Sequence, residues 1–263
     1  MSDTRTNAGV DNISTVKKMH TWEVPGERVI VIMTAGNLAT TQSVISLLDE
    51  RSKAPEDRSP SILEAPSMFQ VAREVGRTLK EVIQSNATTG MEADGAFGAT
   101  MIIGGQIKGS PPRLFLVYPE GNFIEASDDT PFFQIGEAKY GKPIIVRAHD
   151  PTMRFEDAVK LLMVSFDSTI KSNLSVGLPL DYLTYDRDSL SITHAERIEA
   201  DDPYFQTVSN GWGRRLRSPL INCLNLPSSD PAGAARQRVL GGSAPALWAP
   251  PRLCVFHCLC FIL

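Results

Sequence analysis

Cysteine is absent from the first 222 residues of this 263-residue chain. All four cysteines lie in the last forty-one residues, at Cys223, Cys254, Cys258 and Cys260. The main part of the fold therefore cannot use disulfides. Because disulfides belong mainly to oxidising compartments, this distribution favours a cytoplasmic protein.

Long apolar runs and an excess of positive charge are also absent. No run of about eighteen apolar residues is present, so we expect no membrane-spanning helix. The N-terminus has no basic-then-apolar segment typical of a signal peptide. The net charge is −4, and the basic stripe that general nucleic-acid binders carry is missing. We therefore expect neither a membrane nor a nucleic-acid partner. The 42% apolar and 21% charged content is that of a soluble globular protein.

Motifs for cofactors are lacking too. The glycine-containing stretch Gly98–Gly105 is not followed by the Lys-Ser/Thr pair of a phosphate-binding loop. His20, His149 and His194 have no Cys or Ser partner in a recognisable motif, and we interpret them as ordinary surface or strand histidines. We expect no cofactor.

Apolar periodicity predicts the order of the elements. Val29–Met33 is uniformly apolar and rich in β-branched residues, which predicts a strand buried on both faces. Helices are predicted near 38–51 and 68–86, the second with apolar residues at steps of three and four. We expect both helices to pack side by side on one face of the sheet that contains Val29–Met33.

Further elements follow in the second half of the chain. Short strands are predicted at 95–105, 113–118, 122–126 and 132–135, and a short helix that carries Tyr140 comes next. A helix is predicted at 155–170, a hairpin at 176–185 and 189–193, and a last helix from Pro203 to about Leu216. This order lacks a βαβ alternation and favours an α+β fold of antiparallel sheets with helices packed outside.

The N-terminal segment carries the most specific motif. Asp3-Thr4-Arg5-Thr6 is followed about fifteen residues later by Lys17-Lys18-Met19. This pattern resembles that of proteasome-type peptidases, and the longer string from Asp3 to Thr15 resembles the bacterial ancestral-beta-subunit proteasome homologues. The resemblance covers about residues 3–216. It implies the N-terminal-nucleophile hydrolase fold, a four-layer αββα sandwich of two antiparallel sheets, over a domain at 1–218.

The resemblance also implies roles for particular residues. Asp3 and Lys18 match the family's carboxylate and lysine. Lys17 competes for the lysine position, but Lys18 directly precedes an apolar residue, as the family's lysine does. Gly36 matches the glycine whose backbone N–H forms the oxyanion hole, and Arg5 matches an arginine beside the site.

A further match shows a departure from the family pattern. Ser175 matches a serine that supports the amino group of the nucleophile. The aspartate expected three residues earlier is Ser172 here, which weakens the expected support for that amino group.

The family's nucleophile, an N-terminal threonine, is expected one hairpin before Asp3. Only Met1 and Ser2 precede Asp3 here, so we expect the nucleophile and the first hairpin to be missing upstream of Met1. Ser2 is a poor substitute, because neighbouring residues of a strand point to opposite faces.

Three functions remain open from the sequence. The resemblance implies a threonine-type peptidase subunit that acts on unfolded polypeptide or peptide substrates and self-assembles from identical copies. It is expected to be inactive as written. The alternatives are a non-catalytic structural subunit and an N-terminal-nucleophile amidohydrolase that acts on a small amide.

The tail at 219–263 differs in character from the rest. Its only acidic residue is Asp230, and Arg252–Leu263 is almost wholly apolar. It is interpreted as frame-shifted or foreign sequence, as a disordered or partner-docking tail, or as a metal site. The Cys254–Cys260 segment has ligand types that suit zinc, but its spacings do not match the usual pairs. We expect removal of 219–263 to leave the melting temperature unchanged or to raise it.

Overall fold

The computed structural model describes residues 1–7, 13–53, 60–86, 97–223 and 259–262, with the backbone alone described for 7, 13, 218–223 and 259–262. The strands, in chain order, are β1 (Ser2–Asp3), β2 (Arg5–Asn7), β3 (Ile13–Thr15), β4 (Met19–Val24), β5 (Arg28–Gly36), β6 (Ala99–Ile107), β7 (Arg113–Val117), β8 (Phe123–Glu125), β9 (Phe132–Ile135), β10 (Leu180–Thr184), β11 (His194–Ile198) and β12 (Leu259–Ile262). The helices are α1 (Leu38–Lys53), α2 (Met68–Asn86), α3 (Lys142–Ala148), α4 (Phe155–Ile170) and α5 (Pro203–Cys223).

The strands form two five-stranded sheets and one small hairpin. Sheet 1 has the order β4-β5-β6-β7-β8 and is antiparallel throughout. Sheet 2 has the order β11-β10-β1-β12-β9, in which β12 runs parallel to both of its neighbours. The hairpin pairs β2 with β3. The residues that join these two strands, 8–12, lie outside the described residues.

Alternation along the strands of sheet 1 separates two apolar clusters. Ile30 and Ile32 of β5 face a cluster to which both α1 and α2 contribute, while Met33 faces the opposite side. On that opposite side, Met33 packs in a cluster that includes Phe133 and Ile135 of sheet 2. Because side chains alternate along a strand, a strand buried on both faces can contribute to both clusters. The predicted packing of α1 and α2 on one face of sheet 1 is confirmed.

A third cluster covers the other side of sheet 2. It joins residues of α3, α4 and α5, such as Ile145, Phe166 and Phe205, to Leu180 and Ile198 of the sheet. Apolar side chains thus hold α3, α4 and α5 against sheet 2, as others hold α1 and α2 against sheet 1.

Side-chain caps explain where α1 and α2 begin. Asn37 Oδ1 accepts a hydrogen bond from the Thr40 N–H (3.0 Å), and Ser67 Oγ accepts one from the Gln70 N–H (3.3 Å). Such caps satisfy N–H groups that have no partner within the first turn. The predicted span of α2 and that of α4, at 155–170, are confirmed.

Two predicted elements are displaced in the structure. The short helix does not carry Tyr140, because it begins at Lys142 with proline in its first turn, where a missing N–H is tolerated. The second hairpin strand lies at 194–198 and not at 189–193. Asp188 and Leu190 in the loop adopt positive φ angles of 66° and 48°, which interrupt an extended strand.

Two parts of the tail enter the fold, 219–223 and 259–262, so the prediction that the tail contributes nothing to the fold is wrong. Helix α5 continues to Cys223, and β12 pairs with β9 over Leu259–Ile262 and with β1 at Ile262. This strand fills the position between β1 and β9. The domain boundary at 218/219 stays a prediction.

Replacement of Cys260 by proline should destabilise the fold, because proline removes an N–H from a strand that has neighbours on both sides. We expect the melting temperature of Cys260→Pro to fall by about 5 °C or more. Cys260→Val is the matched control, since valine keeps the N–H and favours strands. Equal melting temperatures of the two variants would support the earlier expectation that the tail contributes nothing to the stability of the fold.

Candidate active site

A buried ion pair joins the two sheets at one end of the fold. Lys18 Nζ lies 2.6 Å from Asp3 Oδ1. Asp3 belongs to β1 of sheet 2, and Lys18 directly precedes β4 of sheet 1. The Asp3 side chain is 0% exposed and that of Lys18 is 19% exposed. Of the two neighbouring lysines, Lys18 therefore meets the aspartate, and Lys17 does not.

The environment of Asp3 opposes its ionisation. Burial raises the pKa of Asp3 above its usual value, and Lys18 opposes this rise by its charge and its hydrogen bond. The backbone N–H groups of Gly177 and Arg5 oppose it more weakly. Neither forms a hydrogen bond with Asp3 Oδ2, which is buried and has no partner among the described residues. Lys18 is thus the main group that keeps a charge tolerable at this position.

Backbone hydrogen bonds fix both partners of the ion pair. The Val16 N–H donates to the Thr4 carbonyl (2.7 Å), which closes the segment between Asp3 and Lys18. The Thr34 N–H donates to the Lys18 carbonyl (3.0 Å), and this bond places the lysine beside the end of β5. Thr4 Oγ1 donates to the Pro179 carbonyl (2.8 Å) in the segment that precedes β10.

A cavity of about 280 Å³ opens beside Lys18. Four of the predicted site residues line it, namely Arg5, Lys18, Gly36 and Ser175. Asp3 does not line the cavity and lies behind Lys18. The remaining lining residues are Thr6, Val16, Lys17, His20, Thr34, Ala35, Leu38, Thr41, Gln42, Gly136, Glu137 and Val176. The structure therefore brings the predicted residues to one place.

Gly36 is the last residue of β5 and must be glycine for two reasons. Its φ angle is +108°, which L side chains rarely adopt. A Cβ atom would also lie 2.5 Å from the Gly98 carbonyl oxygen on the neighbouring strand segment. The backbone of Gly36 can therefore approach the cavity wall without a side chain in the way.

Arg5 and Ser175 lie on the same side of the cavity. Arg5 Nη1 donates to the Leu174 carbonyl (3.1 Å). The guanidinium also covers Gly177, where a Cβ atom would lie 2.2 Å from Arg5 Cζ. The Ser175 N–H donates to Asn173 Oδ1 (2.8 Å). Arg5 thus holds the segment that presents Ser175.

Ser2 lies outside this arrangement. It is completely buried, its Oγ has no hydrogen-bond partner among the described residues, and it does not line the cavity. Ser172, which stands where the family pattern has aspartate, donates its hydroxyl to the Ser168 carbonyl (2.8 Å).

Sequence reasoning missed two titratable residues at the cavity, His20 and Glu137. Burial, and secondly the charge of Lys17, lowers the pKa of His20. Hydrogen bonds lower the pKa of Glu137, first that from the Lys139 N–H. His20 is the second residue after Lys18, and residues two apart on a strand share a face. The sequence could therefore have indicated His20, whereas Glu137 lies in a loop that is distant from Lys18 in sequence.

The described part of the chain contains no group of three His, Cys, Asp or Glu residues that could hold a metal ion. The segment Cys254–Cys260 was weighed as a metal site, and its side chains lie outside the described residues. None of the described helices is both long and apolar enough to cross a membrane.

Comparisons with known proteins show the family of the chain. No family model and no curated protein matches the chain. Among solved structures, Anbu (ancestral beta-subunit) from Yersinia bercovieri is 47% identical, with a TM-score of 0.78 over 87% of this chain and 93% of that chain. The chain belongs to the Anbu family.

Two further Anbu structures agree with this assignment. The Gly-1 mutant of Anbu from Hyphomicrobium sp. strain MC1 is 51% identical, with a TM-score of 0.76 over 84% of this chain and 92% of that chain. A structure described as a helical assembly of the Anbu complex from Pseudomonas aeruginosa is 43% identical. Its TM-score is 0.76 over 88% of this chain and 92% of that chain. Anbu proteins are proteasome-like, so the family expected from the N-terminal motif is confirmed.

Replacement of Lys18 by methionine in this Anbu-family chain should destabilise the fold, because Asp3 loses its cation in an enclosed position. We expect a loss of about 3 kcal/mol in the free energy of unfolding near pH 7. The folded-state pKa of Asp3, already raised, rises further. The contribution of protonated Asp3 to the stability of the variant is then fully present below the unfolded-state pKa of Asp3. It is lost as the pH rises through the folded-state pKa.

Urea denaturation between pH 4 and pH 7.5 measures this effect. The deficit of Lys18→Met should grow with pH, and the double variant Asp3→Asn/Lys18→Met should abolish that growth. A deficit that is the same at all pH values would mean that Asp3 does not carry the effect.

Replacement of Gly36 by alanine should destabilise the chain more than the same change at Gly26. Gly26 has a φ angle of +73° and nothing within 4 Å of an added Cβ, so Gly26→Ala is expected to cost about 1 kcal/mol. Gly36→Ala meets both an unfavourable φ angle and the Gly98 backbone, and should cost more than about 2 kcal/mol. Equal losses in urea denaturation would contradict the close packing at Gly36.

Proposed function

We propose that this chain is a proteasome-type peptidase subunit whose site is built for threonine-type peptide-bond hydrolysis. The observation that carries the proposal is the buried Asp3–Lys18 pair, at 2.6 Å, with Lys18 facing the cavity. Membership of the Anbu family supports it. We further propose that the two sheets and their helices form the four-layer αββα sandwich of N-terminal-nucleophile hydrolases. The three apolar clusters support that arrangement.

Each residue has a part in this chemistry. An N-terminal threonine carries its own base, since an α-amino group has a pKa of about 7.7–8.0 and can accept the hydroxyl proton. The Lys18 ammonium stabilises the alkoxide that forms, and Asp3 holds Lys18 in place. The Gly36 N–H is proposed to donate to the oxyanion of the tetrahedral intermediate. Ser175 is proposed to support the amino group, and Arg5 to hold the segment that carries Ser175.

We propose that the 263-residue chain does not itself hydrolyse peptides. The hydroxyl groups at the cavity belong to Thr6, Thr34, Thr41 and Ser175, which are internal residues and have no free α-amino group. Ser2 could gain a free amine if Met1 were removed, but it is buried and does not line the cavity. This observation also favours the second candidate function, a non-catalytic structural subunit.

We propose that the working unit is an assembly of identical copies. The Anbu relative from Pseudomonas aeruginosa forms a helical assembly. An assembly that encloses the site would admit only unfolded polypeptides to it. We propose a cytoplasmic location from the cysteine distribution alone.

Reaction with an epoxyketone, which modifies N-terminal threonine, tests the proposed chemistry. Two chains are compared by intact-mass spectrometry, the 263-residue chain and one extended by a threonine-led hairpin before Asp3. We expect a stoichiometric adduct on the extended chain and none on the 263-residue chain. Lys18→Met in the extended chain should slow adduct formation at least about tenfold.

Hydrogen exchange supplies an independent check on the extended chain. The added hairpin must pair with β1 on the side occupied by β12, because β10 occupies the other side. Exchange at Leu259–Ile262 should therefore accelerate. An adduct on Ser2 of the 263-residue chain would overturn the proposal and make Ser2 the nucleophile.

A further inference from the structure

The cavity carries an excess of positive charge in a chain whose net charge is −4. Three cationic residues line it, Arg5, Lys17 and Lys18, against one acidic residue, Glu137. His20 does not add to the positive charge, because burial lowers its pKa and leaves the imidazole neutral near pH 7. A local field of this sign favours an anionic ligand group.

Two of the three cations are already engaged. Lys18 pairs with Asp3, which neutralises its charge from behind. Arg5 donates to the Leu174 carbonyl and packs over Gly177, so its guanidinium is held in place. Lys17 is exposed and has neither an ion pair nor a side-chain hydrogen bond among the described residues. Lys17 is therefore the most available of the three cations for a ligand.

Glu137 forms no ion pair with Lys17 among the described residues. Its Oε1 accepts a hydrogen bond from the Lys139 N–H (2.8 Å), and its Oε2 accepts one from Asn173 Nδ2 (2.9 Å). Both oxygens are thus held by partners on the Glu137 side of the cavity. The positive charge at Lys17 remains available.

We propose that the cavity selects peptides with an acidic side chain, glutamate or aspartate, and that Lys17 is the residue that determines this preference. The proposal rests on the proposed function, because it names the substrate class of the same site. Lys17 binds the carboxylate of the peptide side chain. Lys18 and Asp3 keep their proposed part in the reaction itself. The preference is moderate, since an exposed ion pair contributes about 0.2–1 kcal/mol, equivalent to roughly a 1.4-fold to fivefold difference in affinity.

Peptide binding tests this selection without any need for hydrolysis. Two rhodamine-labelled, amidated hexapeptides that differ only in a central Glu or Gln are titrated with the full chain, and anisotropy gives the two dissociation constants. We expect the Glu peptide to bind about threefold to fivefold more tightly at low salt. The difference should shrink in 0.5 M salt, where charges are screened.

Charge variants locate the effect. Lys17→Gln should abolish the preference for the Glu peptide, and Lys17→Glu should reverse it. Lys108→Gln is the matched control, since it makes the same change in net charge. Lys108 follows the end of β6 that pairs with Arg28, about 27 Å along the sheet from Gly36. It should leave the preference intact.

Equal affinities for the two peptides, no binding of either, or a preference that survives Lys17→Gln would each overturn the proposal. These outcomes are separable from failure of the proposed function. An epoxyketone adduct without a preference for the Glu peptide would contradict only the proposal of acidic selection. A preference for the Glu peptide without an adduct would contradict only the proposal of peptide hydrolysis.

Discussion

The enclosed carboxylate of Asp3 is the constraint on which the site depends. A carboxylate taken out of water is costly unless a cation and hydrogen bonds compensate it, and only one of its oxygens has a partner among the described residues. Lys18 must therefore lie against it. Because Asp3 belongs to sheet 2 and Lys18 leads into sheet 1, the same ion pair fixes how the two sheets meet at this end. The cavity forms beside that junction.

The requirement for paired backbone groups shapes sheet 2 in a similar way. A vacant position between β1 and β9 would leave unpaired N–H and C=O groups inside the fold, which are costly when buried. The chain fills this position with Leu259–Ile262, although these residues lie more than 250 positions from β1 in sequence. The strand that carries Asp3 is thereby held from both sides, by β10 and by β12.

The two neighbouring lysines have different surroundings and hence different chemistry. Lys18 is partly buried and is neutralised by Asp3, which suits a group that stabilises charge during a reaction. Lys17 is exposed at the same cavity and has no carboxylate partner among the described residues, which suits recognition. The motif singled out both lysines but could separate them only by the apolar residue that follows. In the structure, Lys18 lies against Asp3 and is held by a backbone hydrogen bond from Thr34.

Local patterns in the sequence determined α2, α4 and the core strand β5, because periodic burial of apolar side chains acts within one element. The spacing of Asp3 and Lys18 likewise identified the family and the two halves of the ion pair. Only the tertiary structure decided the place of β12 and the approach of Glu137 to the cavity. Strand pairing and cavity lining join residues that are distant in the chain, so no local pattern encodes them, and the burial that makes Asp3 need Lys18 exists only once the sheets have met.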